Sequence, residues 1–556
     1  MNAFTRVARC LTLALVGSLT VFSTGGACAA ESTVAEDWTG FLGGPERRAT
    51  VSGAGLLKTW PTNGPAMVWE SRAIGVSMGE VLIVGSNVYA WGQLPEDPPQ
   101  PESERDTNKK IDVPPEDPNA PPKAQPKPKP PRDVLTCLDL ATGAVRWQVD
   151  TPFRAMASTP AYDGGRIVLQ HKNHLFCHDA RSGDLLWKVD GNAVLKEAGV
   201  NVERLPGTAY ASWVLSPLAF DGMAVLPLGQ TNGLAVALEM ATGKPLWIAK
   251  GSKPVAGLSW SSPMLIRMEK RRLILLPAMG NLVGLDAADG KVLWEEECYE
   301  PSVNGGGGIY TWACPPAFDG GLFFIYGGYR SKMGGEPEQM LRWSTYRLIA
   351  DGQRIEKVWN KLNIAPYQEN VVVHDGRLYG TGQTTWSDFD ENPGLLLDGQ
   401  SYSDLAKAKG EQSMAHWRKR GDRKGMSEFL GSAGVGQGHP LVCQDLKTGR
   451  VEGRRGLHHG ASCFGDHGVT VAGDRLYVSR SGGSTETDTV YLVEASPSMT
   501  VHGAVTFPLK QIIASHGPKP GWGASLWTRP IVARGFMLMR IGGVLRAYDL
   551  RVDGRK

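Results

Sequence analysis

The 556-residue sequence has almost no charge imbalance: 59 basic side chains stand against 56 acidic ones, a formal net charge of +3. That near-neutrality argues against a broad nucleic-acid surface. Long apolar runs are also missing. The one candidate, LTLALVGSLTVF at 11–22, is too short to span a bilayer comfortably, so the chain is not expected to cross a membrane. Convincing helical stretches are scarce, which together with 69 Gly and 17 Trp fits an all-β soluble body. Cysteines are few, eight in all, and two of them fall in the first thirty residues.

What the sequence does have is a sentence written several times. LVGLDAADGKVLWEE, from Leu282, is echoed by LTCLDLATGAVRWQVD from Leu135, LFCHDARSGDLLWKVD from Leu175, VALEMATGKPLWIAK from Val236 and LVCQDLKTGRVEG from Leu441. A Gly always falls four residues after the acid: Gly143 after Asp139, Gly183 after Asp179, Gly243 after Glu239, Gly290 after Asp286 and Gly449 after Asp445. In four copies a Trp follows four later, at Trp147, Trp187, Trp247 and Trp294. The carboxylate can accept a backbone N–H of the turn, and the Gly supplies the positive φ that a tight hairpin needs. Beyond the turn, apolar residues alternate with period two (Val145, Trp147, Val149), the mark of a strand with one buried face. The Trp brings a large apolar area and an indole N–H in need of a partner.

Upstream of each copy lies a second signal, an extended Ser/Pro segment followed by Asp-Gly between two apolar runs, as in STPAYDGGRIVLQ from Ser158 and SPLAFDGMAVLPLG from Ser216. Asp-Gly in that setting marks a hairpin. Joined, the two signals give four consecutive antiparallel strands every 40 to 50 residues or so, the pattern of propeller blades. Blades are expected to start near Gly75, Ala157, Ser216, Ser259, Cys314, Tyr367, Phe464 and Trp527, which makes eight. The last copy stops just after its Asp, in GGVLRAYDLRVDGRK, and so lacks an outer strand. GPAMVWE at 64–70, ending in Trp69, has no unit of its own, and is expected to supply that strand and close the ring. The expected fold is therefore an all-β, eight-bladed β-propeller of four-stranded antiparallel blades, closed by an N-terminal strand. One repeat array overrides the three or four domains that length alone suggests.

Residues 1–30 read as a secretory signal: Arg6 and Arg9, the short apolar run, then small residues, with cleavage after Ala29 or Ala30. Lipidation at Cys28 is the less favoured alternative, because no Leu precedes it in the expected place. Residues 31–556 then form a single propeller domain. Its location is expected to be periplasmic or in the cell envelope. Export permits disulfides among the remaining six cysteines, and Cys298 with Cys314 is the pair to test first. Cys137, Cys177 and Cys443 sit two before the turn acid, where sister copies carry Ala or Gly, and read as small buried strand residues. Two insertions interrupt the array. Residues 93–132 contain thirteen prolines and almost no large apolar residue, so they are expected to form a disordered or polyproline-like loop. Residues 386–438 show weak helical character and a basic run, and a short surface helix is expected there.

The Asp-x-x-Thr-Gly-x-x-x-Trp sentence resembles the pyrroloquinoline quinone propeller repeat, in which that Trp docks each blade onto its neighbour. The resemblance implies one of two kinds of protein. One is the quinoprotein alcohol and glucose dehydrogenases, which hold the quinone and a calcium ion at the ring centre beside two adjacent, disulfide-joined cysteines, with a Glu and an Asn on calcium and a catalytic Asp. The other is a non-catalytic group similar to the barrel-assembly lipoprotein BamB, which uses the ring as a binding platform. DWTGFLGGPERRA with LLKTWPTNGPAMVWE also resembles the start of exported BamB-like proteins of planctomycetes and their relatives.

The residues favour the second kind. No two cysteines are adjacent, and no acid-and-Asn set stands in matching context; Asn304 is an isolated candidate that reads as a glycine-loop turn residue. LHHGASCFGDHG offers His458, His459, Cys463, Asp466 and His467 as possible zinc or copper ligands, but adjacent strand residues face opposite ways and the spacing is that of no compact zinc module. No catalytic residue, cofactor or metal is therefore assigned. The expected residues of consequence are the blade-docking Trp69, Trp147, Trp187, Trp247 and Trp294 with Gly143, Gly183, Gly243, Gly290 and Gly449. The expected function is an exported scaffold that binds envelope or outer-membrane proteins, with a quinone-dependent oxidoreductase of divergent site as the alternative.

Overall fold

The computed structural model describes residues 36–94, 131–153, 155, 157–203, 214–253, 255, 261–278, 281–297, 315–326, 343–361, 370–382, 386–433, 440–457, 466–481, 487–508, 511–512 and 529–552. The leader at 1–30 lies outside them, as do 95–130 of the proline-rich insertion, Asn304, Cys298 and Cys314. Among the described residues no helix is long and apolar enough to cross a membrane.

Eight antiparallel sheets follow one another along the chain: blade 1 at 82–150, blade 2 at 161–190, blade 3 at 218–249, blade 4 at 264–297, blade 5 at 317–360, blade 6 at 372–455, blade 7 at 466–507 and blade 8 at 531–549. They form an eight-bladed β-propeller. The first strand of each blade is innermost, where the first strands of successive blades approach one another. Blade 8 builds only three strands from its own sequence. Met67–Ser71 supplies the fourth, antiparallel to Val544–Asp549 with Trp69 opposite Ala547. The ring is thus closed by the two ends of the chain, and no blade is left with a bare outer edge at the seam.

The turn sentence folds as its chemistry requires. The Asp139 carboxylate accepts the backbone N–H of Ala141 (3.0 Å) and Thr142 (2.9 Å) and the Thr142 hydroxyl (2.9 Å). Gly143 adopts φ +72°, and a Cβ there would lie 2.6 Å from the Trp69 ring. Glycine is therefore required twice over, for the turn and for the neighbour's indole. At each outer strand the register slips by one residue just before the docking position, as where Gly284 faces Trp294 but Leu285 faces Val292. That position holds Trp147, Trp187, Trp247, Trp294, Trp359 and Trp69 in six blades, Gly453 in blade 6 and Gly503 in blade 7. Trp359 and the two glycines escape the sequence pattern. The glycines are not gaps. A Cβ on Gly453 would sit 1.9 Å from the Pro497 carbonyl, and one on Gly503 2.5 Å from the Trp60 Cβ, so backbone and Trp60 fill the space the indole takes elsewhere.

The stretch from 386 holds more than one short surface helix. Trp386–Glu391, Tyr402–Lys409, Glu411–Lys419 and Asp422–Ser432 are all helical. They share an aromatic core: Phe389 stacks on Tyr402 at 4.1 Å, and Phe429 packs edge-on to both. Leu396–Leu397 then runs parallel to the outer strand of blade 6 and covers its edge. Part of the basic run is engaged here, since Arg418 forks onto Asp390 at 2.7 Å and lies over the Trp386 ring. Cys137, Cys177 and Cys443 are free and buried, and burial pushes their thiols up to about 11, 12 and 12.

The insertion expected at 93–132 is shorter at both ends, because Gln93, Leu94 and Arg132 belong to paired strands, with Leu94 directly opposite Arg132. A short turn can therefore join them. Replacing 95–130 by a tight hairpin turn is expected to leave the urea midpoint within about 0.3 M of the parent, because loop length enters stability only logarithmically.

The turn acids also set an acid limit. The Arg146 guanidinium and Thr142 hold Asp139 below the usual carboxylate range, and the Ser182 and Arg181 N–H groups do the same for Asp179. Because the folded values are depressed, their contribution is present above a pH of about 3.9 and fades as pH falls through the lowered values. Asp179→Asn is expected to lower the urea midpoint at neutral pH. The gap between variant and parent should close in titrations below pH of about 4.

Candidate functional site

The centre of the ring is occupied by the chain's own N-terminal segment, residues 37–51. Trp38 exchanges both backbone hydrogen bonds with Ile83 of blade 1, and the Thr39 carbonyl accepts Tyr162 N–H of blade 2. Arg47 donates to the carbonyls of Pro217 at 2.7 Å, beside blade 3, and Pro263 at 3.1 Å, beside blade 4. Arg48 meets Asp319 of blade 5 at 3.0 Å, Thr50–Val51 pairs in parallel with Val471 and Ala472 of blade 7, and Asp37 pairs with Arg534 of blade 8. This strap therefore touches blades 1, 2, 3, 4, 5, 7 and 8, on or beside their inner strands. Trp38, Leu42 and Ala49 are buried. Leu42, Arg47 and Ala49 hold positive φ of 57°, 53° and 48°, conformations that side-chain-bearing residues keep only where surroundings fix them.

Beneath the strap runs a belt of hydrogen bonds from blade to blade. Glu80 N–H donates to the Thr159 hydroxyl (2.9 Å), Thr159 N–H to the Ser216 hydroxyl (3.0 Å) and Ser216 N–H to the Ser262 hydroxyl (2.9 Å). On the far side Asn370 is bonded both ways to the Val469 backbone, accepting at 3.1 Å and donating at 2.7 Å. Arg529 joins the two arcs. Its Nε donates to Asn370 Oδ1 at 2.8 Å and its other arm to Glu80 Oε1 at 2.6 Å. The second Glu80 oxygen accepts Trp38 Nε1 (3.0 Å) and Leu42 N–H (2.9 Å), which ties the strap to the belt. Arg529 and Glu80 are both almost wholly shielded from solvent. In a low-dielectric site such a pair is sound only when the remaining lone pairs are met, as they are here.

Arg47 and Arg540 are buried guanidiniums too. Arg47 is pulled down to about 10 by burial and satisfies itself on carbonyls. Arg540, pulled to about 9 by burial, donates to the carbonyls of Gly75 (2.9 Å), Trp91 (3.0 Å) and Gly79 (3.1 Å), stitching blade 8 to blade 1 across the closure.

The docking residues sit on the outer circumference. Trp69 donates its indole N–H to Leu140 O (2.8 Å), Trp187 to Met240 O (3.1 Å), Trp247 to Ala287 O (3.1 Å), Trp294 to Gly352 O (3.0 Å) and Trp359 to Leu446 O (2.8 Å), each a carbonyl in the next blade's turn. Gly183, Gly243, Gly290 and Gly449 lie under Trp147, Trp187, Trp247 and Trp359. His458, His459 and Cys463 lie outside the described residues. Asp466 and His467 open the inner strand of blade 7, and their side chains lie outside the description too. Among the described residues no group of three His, Cys, Asp or Glu side chains could hold a metal ion.

Residues 131–395 match the model of a family described as outer membrane protein assembly factor BamB. The chain carries the pyrroloquinoline-quinone-like propeller repeat. No curated protein matches it. Among solved structures, this repeat propeller is similar to quinohemoprotein alcohol dehydrogenase from Comamonas testosteroni, with a TM-score of 0.50 and 11% identity over 94% of this chain and 81% of that one. It is also similar to BamB from Moraxella catarrhalis, with a TM-score of 0.41 and 11% identity over 76% of this chain and 90% of that one. At such identity the likeness speaks for the fold of the repeat propeller alone.

The structure brings together an acid and an Asn that sequence spacing does not pair: Glu80 and Asn370, at the ring centre, where the resemblance places calcium. They do not fit that ion. Between them lies the Arg529 cation, and both Glu80 oxygens and the Asn370 oxygen are already engaged. A hard divalent cation needs several converging oxygens free to turn toward it. Nor does the level of the strap fit a planar quinone, since Trp38 and Leu42 fill it.

Proposed function

We propose that this propeller is an exported, non-catalytic scaffold that holds partner proteins in the cell envelope. The observation that carries the reading is the filled ring centre, in which a guanidinium stands between Glu80 and Asn370 and the strap fills the space above. Function then moves to the periphery, where loops and edges on a rigid frame are free to bind. There six of the seven exposed large aliphatics among the described residues, all but Val552, gather on one arc: Met67 and Val68 of blade 8, Val145 of blade 1, Leu185 and Leu186 of blade 2 and Leu246 of blade 3, each between 44% and 53% exposed. Four consecutive outer strands thus offer apolar side chains to solvent, the kind of surface that marks protein contact.

Two measurements test the reading. Purified protein titrated with pyrroloquinoline quinone and calcium should show neither saturable absorbance change nor dye reduction; turnover would establish the quinone-dependent oxidoreductase instead. Envelope proteins retained by the immobilised chain should be released by the Leu185→Asp, Leu246→Asp double variant. Retention that ignores those changes would remove the rim from the proposal.

A further inference from the structure

The seam between blades 1 and 2 departs from the repeat in one place. Five of the six docking tryptophans donate their indole N–H to the neighbouring turn. Trp147 makes no such bond among the described residues, although the repeat would aim it at the Ala180 carbonyl. Instead a cleft of about 580 Å³ opens beside it, lined by Tyr89, Arg146, Tyr162, Arg166 and Arg181 among others. Arg146 stands where sister copies carry Leu186, Leu246 and Leu293, and Arg181 where three of them carry Ala141, Ala241 and Ala288 and the blade 6 copy carries Lys447. An internal repeat gives its own control: this seam brings together two arginines, one at a position that is leucine in three sister copies and one at a position that is alanine in three.

The three guanidiniums differ in what they already do. Arg146 is held by Asp139 and by Asn87 Oδ1 at 2.7 Å. Arg166 makes one long contact, 3.5 Å to the Gly164 carbonyl, and its Nε is buried with no partner. The Arg181 guanidinium makes no hydrogen bond or ion pair among the described residues; only its backbone N–H is engaged, on Asp179. Against these cations the cleft sets one carboxylate, Asp179, whose Oδ1 accepts the Arg181 and Ser182 N–H groups. The walls are aromatic: Tyr89 stacks on Tyr162 at 6.4 Å and tilts against Trp147 at 5.9 Å. Unpaired guanidinium donors beside a free indole N–H and flat apolar rings suit an acidic group attached to a planar or apolar body. The volume lies within the range of roughly 300–1,000 Å³ used by small-molecule sites.

We propose that the cleft between blades 1 and 2 binds a small organic anion, its carboxylate or phosphate on Arg166, Arg181 and the Trp147 indole and its body against Tyr89 and Tyr162. Arg146, fixed by Asp139, lines the cleft and adds long-range attraction. The site is independent of the ring centre and stands at the apolar arc, close to Val145, so that occupancy changes the charge of a surface that faces outward.

The test is calorimetric titration of the full chain with two probes, benzene-1,3-dicarboxylate and inorganic pyrophosphate. Saturable binding of either is expected, and which one binds distinguishes a carboxylate ligand from a phosphate ligand. Arg181→Ala should weaken it about tenfold, the loss of one charge-assisted contact. Because that guanidinium makes no hydrogen bond or ion pair among the described residues and Ala stands in three sister turns, the urea midpoint should stay close to the parent value. Trp147→Phe keeps the ring but removes the donor, and should weaken binding less. Failure of both probes to bind up to about 10 mM, or equal binding by parent and the Arg166→Ala, Arg181→Ala double variant, would overturn the assignment.

Discussion

Glu80→Ala is expected to lower the unfolding free energy by about 3–5 kcal/mol, the usual penalty for leaving one member of a buried ion pair alone. Three groups lose their acceptor at once: the Arg529 guanidinium, the Trp38 indole N–H and the Leu42 backbone N–H. Arg529 keeps Asn370 and the Phe41 ring 5.1 Å away, but neither neutralises its charge. Urea denaturation of Glu80→Ala, Arg529→Met and the double variant gives the decisive number. The double variant should cost at least about 1 kcal/mol less than the sum of the singles, since removing both partners leaves no orphaned charge. Strict additivity would mean that the pair does not join the two arcs of the belt. Faster proteolysis within 37–51 in Glu80→Ala should accompany the loss, because that carboxylate is the strap's anchor.

The second large effect separates the strap from the closure. Truncation through Ala73 removes Met67–Ser71 as well as the strap, and is expected to abolish cooperative unfolding and give aggregates in size-exclusion chromatography. It bares the Val544–Asp549 edge and empties the Trp69 seat on Gly143, where an indole of that burial is worth about 3–5 kcal/mol. Truncation through Gly53 removes the strap alone. It uncovers Glu80 and the apolar contacts of Trp38 and Leu42, so stability should fall, yet the product should remain a monomer because every blade keeps its outer strand. A monomeric, cooperative product from the longer truncation would show that closure by the chain ends contributes little.

Much of the wheel was readable because its parts repeat. An Asp or Glu, a Gly four residues on and a Trp four beyond that are local requirements of one turn and one docking seat, and several copies at fixed spacing leave few other folds. Trp359 escaped because the blade 5 turn, Ala350-Asp351-Gly352, holds three successive positive φ values and sets the Trp seven residues past its Gly. Gly453 and Gly503 escaped because a missing side chain leaves no pattern. The ring centre was illegible for a different reason. Glu80, Asn370 and Arg529 lie 159 and 449 residues from their partners, each occurs once, and nothing periodic links them. The strap is also unique, so a search for repeats passes over it. The helices between Trp386 and Ser432 were underread because their apolar face is short and mixed with charge, and their stability comes from Phe389, Tyr402 and Phe429 meeting across turns.

The pairing of Glu70 with Arg546, 476 residues apart, sets a condition on the order of assembly. An emerging chain has its closing strand in hand from the outset but nothing to pair it with until the final hairpin exists. Through that interval the segment must stay extended and unmated, with Met67, Val68 and Trp69 in water. Local hairpins can form early, while the last step waits on closing a loop of nearly the whole propeller. A protein built in this way commits itself only when it is whole, and a molecule interrupted short of Val544 has no means of becoming a circle.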